Sequence, residues 1–238
     1  MAMRLAVRSD STLAQGPIDV EPKSVVLGGY SARSAEERQR HIDELRQIGI
    51  EPPEHVPAFW PVGANLVTTA SEIQVQGDRT SGEVEYALIA HEGRTYVAVA
   101  SDQTDRAFEV HSIPRSKQLC AKVISSAVIP LDELRGSWDR IVISSDVSAD
   151  GDTWLPYQRG ELGLMLDPGG LAQACFGTDA LVDGTILLSG TIPIVDGQTR
   201  YLPYFRAALE VPDSELRLTL AYRVEMLPER ADVGEAVA

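Results

Sequence analysis

Between Gly82 and Arg106 the chain reads GEVEYALIAHEGRTYVAVASDQTDR, and Glu83, Glu85 and Asp102 are spaced so that two antiparallel strands would bring their carboxylates together. From Glu83 the residues alternate and then run apolar through Val84, Tyr86, Ala87, Leu88 and Ile89; His91-Glu92-Gly93-Arg94 is a turn signal, and Thr95 to Ala100 is a second β-rich run. The pattern predicts a hairpin. Side chains alternate between the faces of a strand, so Glu83 and Glu85 share a face roughly 7 Å apart. A hairpin symmetric about Glu92-Gly93 sets Asp102 opposite Glu83, with Cβ atoms roughly 5 Å apart. Carboxylates that close repel one another unless a cation neutralises them or some are protonated. Oxygen-only donors suit Mg²⁺, Mn²⁺ or Ca²⁺ better than zinc, and three protein ligands leave positions open for water or a chelating substrate. The same spacing also fits an alternating strand whose acids face water, and a one-residue bulge would take Asp102 out of register.

A second pair with chemical potential is His41 and Glu44. Ser34-Ala35-Glu36-Glu37 reads as the start of a helix with Ser34 as N-cap, running to Gly49, with Ile42, Leu45 and Ile48 as its apolar stripe. His41 and Glu44, three apart, are neighbours on such a helix, and an imidazole beside a carboxylate is suited to proton transfer near neutral pH. A solvated pair on an exposed helix face has the same spacing.

The motifs together resemble the fumarylacetoacetate hydrolases and their relatives. Glu83-Val84-Glu85 followed by Ser101-Asp102-Gln103-Thr104-Asp105-Arg106 is similar to that superfamily's metal-binding pattern, and His41-Ile42-Asp43-Glu44 to the H-x-x-E of its lid segment, with Tyr30 in the place of a preceding aromatic. The resemblance implies that His41 is a general base partnered by Glu44, that Arg106 and Tyr30 contact substrate, and that Glu83, Glu85 and Asp102 hold the metal. Leu119 to Leu134 resembles the segment bearing the active-site lysine and matches Lys122 to it, with Lys117 as the second candidate; a lysine in so apolar a run faces the site or snorkels to solvent. Gly190-Thr191 resembles a strand end whose threonine lies against the substrate, although a plain strand terminus would read the same way. The chain departs from the family in three places. Ala107 stands where an aspartate usually follows the arginine, Phe59 to Val62 lacks a substrate-contacting lysine, and Ile192 to Gly197 replaces a standard loop. For Arg106 a salt bridge with Asp105 or Glu109 is the alternative role.

The elements that would position these residues are mostly strands. Met3 to Val7 and Ser24 to Leu27 read as short strands, Glu51 to Val62 as a proline-rich extended connection, and Leu66 to Val75 as strands lining the hairpin's sheet. Trp138 to Ser144 reads as a strand, Ser145 to Thr153 as a polar loop, and Tyr204 to Val211 with Arg217 to Met226 as a closing hairpin. The expected fold is α+β and mostly β, a mixed sheet or barrel-like domain with a short N-terminal lid helix. Residues 1–62 would supply strands and lid and 63–228 the metal-binding core of one structural domain.

At 238 residues with 44% hydrophobic and 24% charged, the chain can build a sizeable core. A net charge of −14 argues against nucleic acid or an anionic membrane as partner. No apolar run approaches the roughly 20 residues of a membrane span, and the N-terminus lacks the apolar segment of a signal peptide. Cys120 and Cys175, 55 apart in apolar company, fit reduced cytoplasmic thiols rather than a zinc site or a disulfide framework. The expectation is a cytoplasmic homodimer that uses Mg²⁺ or Mn²⁺, with Ca²⁺ as a further candidate, on a small 2-oxo or 1,3-dicarbonyl acid. Hydrolysis of a carbon–carbon bond stands first, with decarboxylation, hydration and tautomerisation sharing the same enolate. A non-catalytic, metal-stabilised ligand-binding module is the reading from another class.

Overall fold

The expected hairpin forms between Val84–His91 and Arg94–Asp102. Its turn is two residues long, with Glu92 at φ 49° and Gly93 at φ 72°, the left-handed pair whose twist matches that of the flanking strands. That turn fixes the register: Val84 lies opposite Ser101, Tyr86 opposite Val99 and Leu88 opposite Val97. The Asp102 N–H donates to the Glu83 carbonyl at 3.0 Å, so the pairing carries on to the two acids with no bulge between them.

The computed structural model describes residues 2–10, 16–47 and 53–228. Across the larger sheet the strand order is Ile18–Val20, Met3–Val7, Ala127–Pro130, Arg94–Asp102, Val84–His91, Thr185–Leu188, Ser24–Gly29, Ala58–Val62. The short strand Lys122–Ile124 also pairs with Arg94–Asp102 and carries Val67–Thr68 on its other side. A second sheet runs Leu155–Glu161, Val142–Ser148, Tyr204–Glu210, Arg217–Leu227, Glu72–Gln76.

The hairpin is buried on both faces, which is why it reads as an apolar run rather than a clean alternation. Tyr86, Leu88, Val97 and Val99 pack towards the second sheet, against Ile143, Phe205, Leu209 and Tyr222. Ala87, Ile89, Ala98 and Ala100 pack on the other side with Leu5, Leu27, Ile124, Val128, Ile186 and Leu188. Nearly every member of that second cluster comes from the larger sheet itself, so the sheet curls around it. Glu83, Glu85 and Asp102 continue the same rows beyond the apolar residues, and therefore stand at the mouth of the curl.

Among the described residues, helix Ala35–Gln47 packs on the chain through one apolar residue. Its Ile42 is buried with Tyr30 and Ala58, and Trp60 packs against them. Residues 48–52, where the helix was expected to end, lie outside the described residues.

Two expectations need correction, and one helix stands where none was expected. Glu72–Gln76 does not line the hairpin's sheet; it pairs parallel with Arg217–Leu227 in the other one, a choice made by the distant C-terminal strand. Val142–Ser148 extends into the supposed polar loop, because its partners Leu155–Glu161 and Tyr204–Glu210 supply hydrogen bonds on both sides, while Trp138–Arg140 is a 3₁₀ turn. Pro168–Phe176 is a helix that the sequence reading passes over. It starts with Pro168 at its first position and the Asp167 carboxylate accepting from the Gly170 N–H, and stops at Gly177 with φ 72°.

Candidate metal centre

Carboxylate oxygens of Glu83, Glu85 and Asp102 lie within 4.8 Å of one another, as the hairpin register requires. Asp102 ends its strand with a neighbour on each side. Glu83 is across the hairpin, and Lys122 sits opposite it at the start of Lys122–Ile124. Its two oxygens have separate partners: Oδ1 takes the Lys122 ammonium at 2.7 Å, and Oδ2 takes the Lys117 ammonium. Burial alone would raise the Asp102 carboxyl, but the two lysines hold it well below the usual carboxylate range.

Glu85 is 1% exposed. Its Oε2 accepts from the Gly190 N–H at 2.9 Å, while Oε1 has no hydrogen-bond partner among the described residues. Burial, with the Asp102 and Glu83 charges adding to it, pushes its carboxyl well above the ordinary glutamate value. A buried carboxylate oxygen without a partner, beside two further carboxylates, is what a divalent ion would satisfy, so the donor set fits Mg²⁺ or a similar hard cation held by Glu83, Glu85 and Asp102.

Arg106 supports this cluster from beneath. Its Nη2 lies 3.0 Å from Glu83, Nη1 2.9 Å from Glu109 and Nε 2.7 Å from the Ser81 hydroxyl. All three nitrogens thus have a protein partner, Glu109 being the one with both oxygens on Nη1. Asp105, the other partner considered for it, instead caps the short helix Arg106–Glu109 by accepting from the Phe108 N–H.

Lys122 is fully buried and donates to the Gln103 carbonyl at 2.6 Å as well as to Asp102, so it faces the cluster and does not snorkel. Thr191 lies beside the site with its hydroxyl engaged: it donates to the Val84 carbonyl at 2.8 Å and accepts from Gln158 Nε2 at 2.7 Å. Tyr30 is 7% exposed, and burial together with Glu109 lifts its phenol to about 12. Residues 41 and 44 are one turn apart on helix Ala35–Gln47, and the side chains of His41 and Glu44 lie outside the described residues.

Several contributors escape a reading of the sequence. Gln158 joins Thr191 to the Val84 N–H, and Gln103 bonds Thr80 and Tyr222, whose hydroxyl also meets Ser101. The Gly190 N–H was foreseeable only as a donor to some anion, and here the anion is Glu85. Gly190 has φ 85°, and a Cβ there would sit 2.5 Å from Ser31 Oγ. Gly190→Ala is expected to cost about 1–2 kcal/mol from the left-handed backbone alone and to pull the N–H away from Glu85. Urea unfolding checks this by a lowered midpoint, and a midpoint equal to wild type would contradict it.

A family model described as a protein of unknown function, DUF2848, matches residues 28–222. The chain belongs to the DUF2848 family. No curated protein matches it. Among solved structures, this DUF2848 chain is similar to Cg1458 with inhibitor, at a TM-score of 0.63 and 15% identity over 89% of this chain and 81% of that one. It is also similar to the apo form of 2-keto-3-deoxy-D-arabinonate dehydratase, at 0.62 and 16% over 92% and 79%. The same dehydratase complexed with magnesium and 2,5-dioxopentanoate matches at 0.60 and 17%, over 92% and 79%. The shared fold is the fumarylacetoacetate hydrolase type expected above, mostly β with few helices. Among the described residues no helix is long and apolar enough to cross a membrane.

Proposed function

We propose that this protein is a divalent-metal-dependent enzyme acting on a 2-oxo acid or 1,3-dicarbonyl acid. The observation that carries the reading is the convergence of Glu83, Glu85 and Asp102 with one buried Glu85 oxygen left unbonded. Support comes from the fold it shares with a dehydratase complexed with magnesium and 2,5-dioxopentanoate.

The charges around the cluster agree with an anionic substrate. Among the described residues, Glu83, Glu85, Asp102 and Glu109 face Arg106, Lys117 and Lys122. With Glu85 protonated these charges cancel. With Glu85 ionised around a divalent ion the same set carries one positive charge, which a substrate carboxylate would neutralise. Bound there, the ion would supply Lewis-acid stabilisation of negative charge developing on adjacent substrate oxygens. The chain's own groups do the rest. The hairpin holds the three acids in register, Arg106 fixes Glu83, and Tyr30 with Trp60 forms an aromatic wall, their ring centroids 6.3 Å apart. In this reading His41, oriented by Glu44, moves a proton at the substrate carbon.

Hydrolysis of a carbon–carbon bond is the first assignment within this chemistry. Loss of water from a 3-deoxy-2-oxo acid is the second, favoured by the dehydratase neighbours. Acylpyruvates, oxaloacetate and 3-deoxy-2-oxo sugar acids should therefore be assayed with Mg²⁺ and with Mn²⁺, following pyruvate release and water loss separately. Metal-dependent turnover of at least one class is expected. Failure of every 2-oxo acid both to turn over and to bind in the presence of metal would overturn the assignment and leave the non-catalytic module as the better reading.

A further inference from the structure

The space between Asp102 and Glu83, where a divalent ion would bind, holds the ammonium of Lys117. This lysine reaches in from the short helix Ile113–Gln118 and is 5% exposed. Its Nζ bonds Asp102 Oδ2, lies 3.8 Å from Glu83 Oε2, and stands 5.6 Å from the Trp60 ring centroid. Lys122 differs in kind. It binds the other oxygen of Asp102 and the Gln103 carbonyl from a strand position directly opposite, and no ion pair joins it to Glu83 or Glu85 among the described residues. Asp102 thus gives Oδ1 to Lys122 and Oδ2 to Lys117, and of the two lysines it is Lys117 that also reaches Glu83.

We propose that Lys117 is a tethered counter-ion: it neutralises the carboxylate cluster in the metal-free protein and is exchanged for the divalent ion on binding, so that it sets the affinity for metal. The proposal rests on reading Glu83, Glu85 and Asp102 as metal ligands. Like charges held about 4 Å apart repel by several kcal/mol even when partly screened, so the ion and the ammonium cannot share Asp102 Oδ2. The ion brings twice the charge and engages the Glu85 oxygen that Lys117 leaves unbonded. The lysine's four-carbon stem is flexible, and the Trp60 face already beside it attracts a cation, which gives the displaced ammonium somewhere to go. The metal-free protein therefore does not depend on the ion to keep its acids together.

Titration calorimetry with Mg²⁺ and Mn²⁺, and thermal melts with and without each ion, test this on wild type, Lys117→Gln and Lys117→Met. Both variants are expected to bind the ion about tenfold or more tightly than wild type, to melt lower without it, and to gain more when it is added. Equal or weaker binding in the variants, with wild type binding normally, overturns the counter-ion role and leaves the metal centre standing. No binding by any of the three proteins overturns the metal centre, and this proposal with it. Should a variant not fold alone, circular dichroism after refolding with Mg²⁺ decides: recovery supports the exchange, and failure with and without the ion makes Lys117 an ordinary structural residue.

Discussion

Asp102→Ala should destabilise the metal-free protein by about 3–5 kcal/mol, because it removes the shared partner of two buried ammonium groups. Lys122 is fully buried and Lys117 is 5% exposed, and both bond Asp102. Removing that partner leaves both ammonium groups short of a counter-charge in a buried setting. Some of the loss is recovered by Lys117 turning to Glu83, already 3.8 Å away, whereas Lys122 keeps only the Gln103 carbonyl. A shift of that size lowers the melting temperature of a chain this long by roughly 10 °C. The same substitution deletes one of three metal ligands, so the rise in melting temperature that Mg²⁺ or Mn²⁺ gives wild type should vanish. Melts of both proteins with and without ion check the two effects together. An Asp102→Ala protein as stable as wild type would show that Asp102 is not the hub of the lysines, and one still stabilised by the ion would show that it is not a ligand.

The part of this site legible in the sequence was the part set by local rules. Glu92-Gly93 allows a two-residue turn and little else, and a two-residue turn fixes which residues face each other. That is why the sequence alone sets Asp102 against Glu83. The closing hairpin, with Phe205 opposite Tyr222 and Leu209 opposite Leu218, followed from alternation in the same way. What was not legible depends on how separate elements meet. Nothing local separates Lys117 from Lys122: the sequence offered one as the match and the other as second candidate, and the fold brings both to Asp102 from a helix and a strand. Glu72–Gln76 alternates like any half-buried strand, and only the arrival of Arg217–Leu227 decides its sheet. The helix at Pro168–Phe176 is a different sort of miss, since Asp167-Pro168 and Gly177 are start and stop signals that were present to be read.

The role of helix Ala35–Gln47 rests on its position and its sequence. Ile42 anchors it on Tyr30 and Ala58, Tyr30 packs beside Trp60, and the Trp60 ring stands 5.6 Å from the Lys117 ammonium, so the helix packs on residues that border the cluster. Residues 41 and 44 flank that anchor one turn apart. If His41 is the base that moves a proton at the substrate carbon, His41→Ala should lower turnover by roughly 100-fold or more. Metal affinity should stay close to wild type, because Glu83, Glu85 and Asp102 are all held by the hairpin and Ile42 still anchors the helix. The split between the two readouts is the point of the experiment. A structural role would weaken binding and turnover together through a shifted helix, and a bystander would change neither. Steady-state kinetics on whichever 2-oxo acid is turned over, beside calorimetry of Mg²⁺ binding, separates the three cases. Turnover lost with affinity kept is the result that assigns His41 to the chemistry.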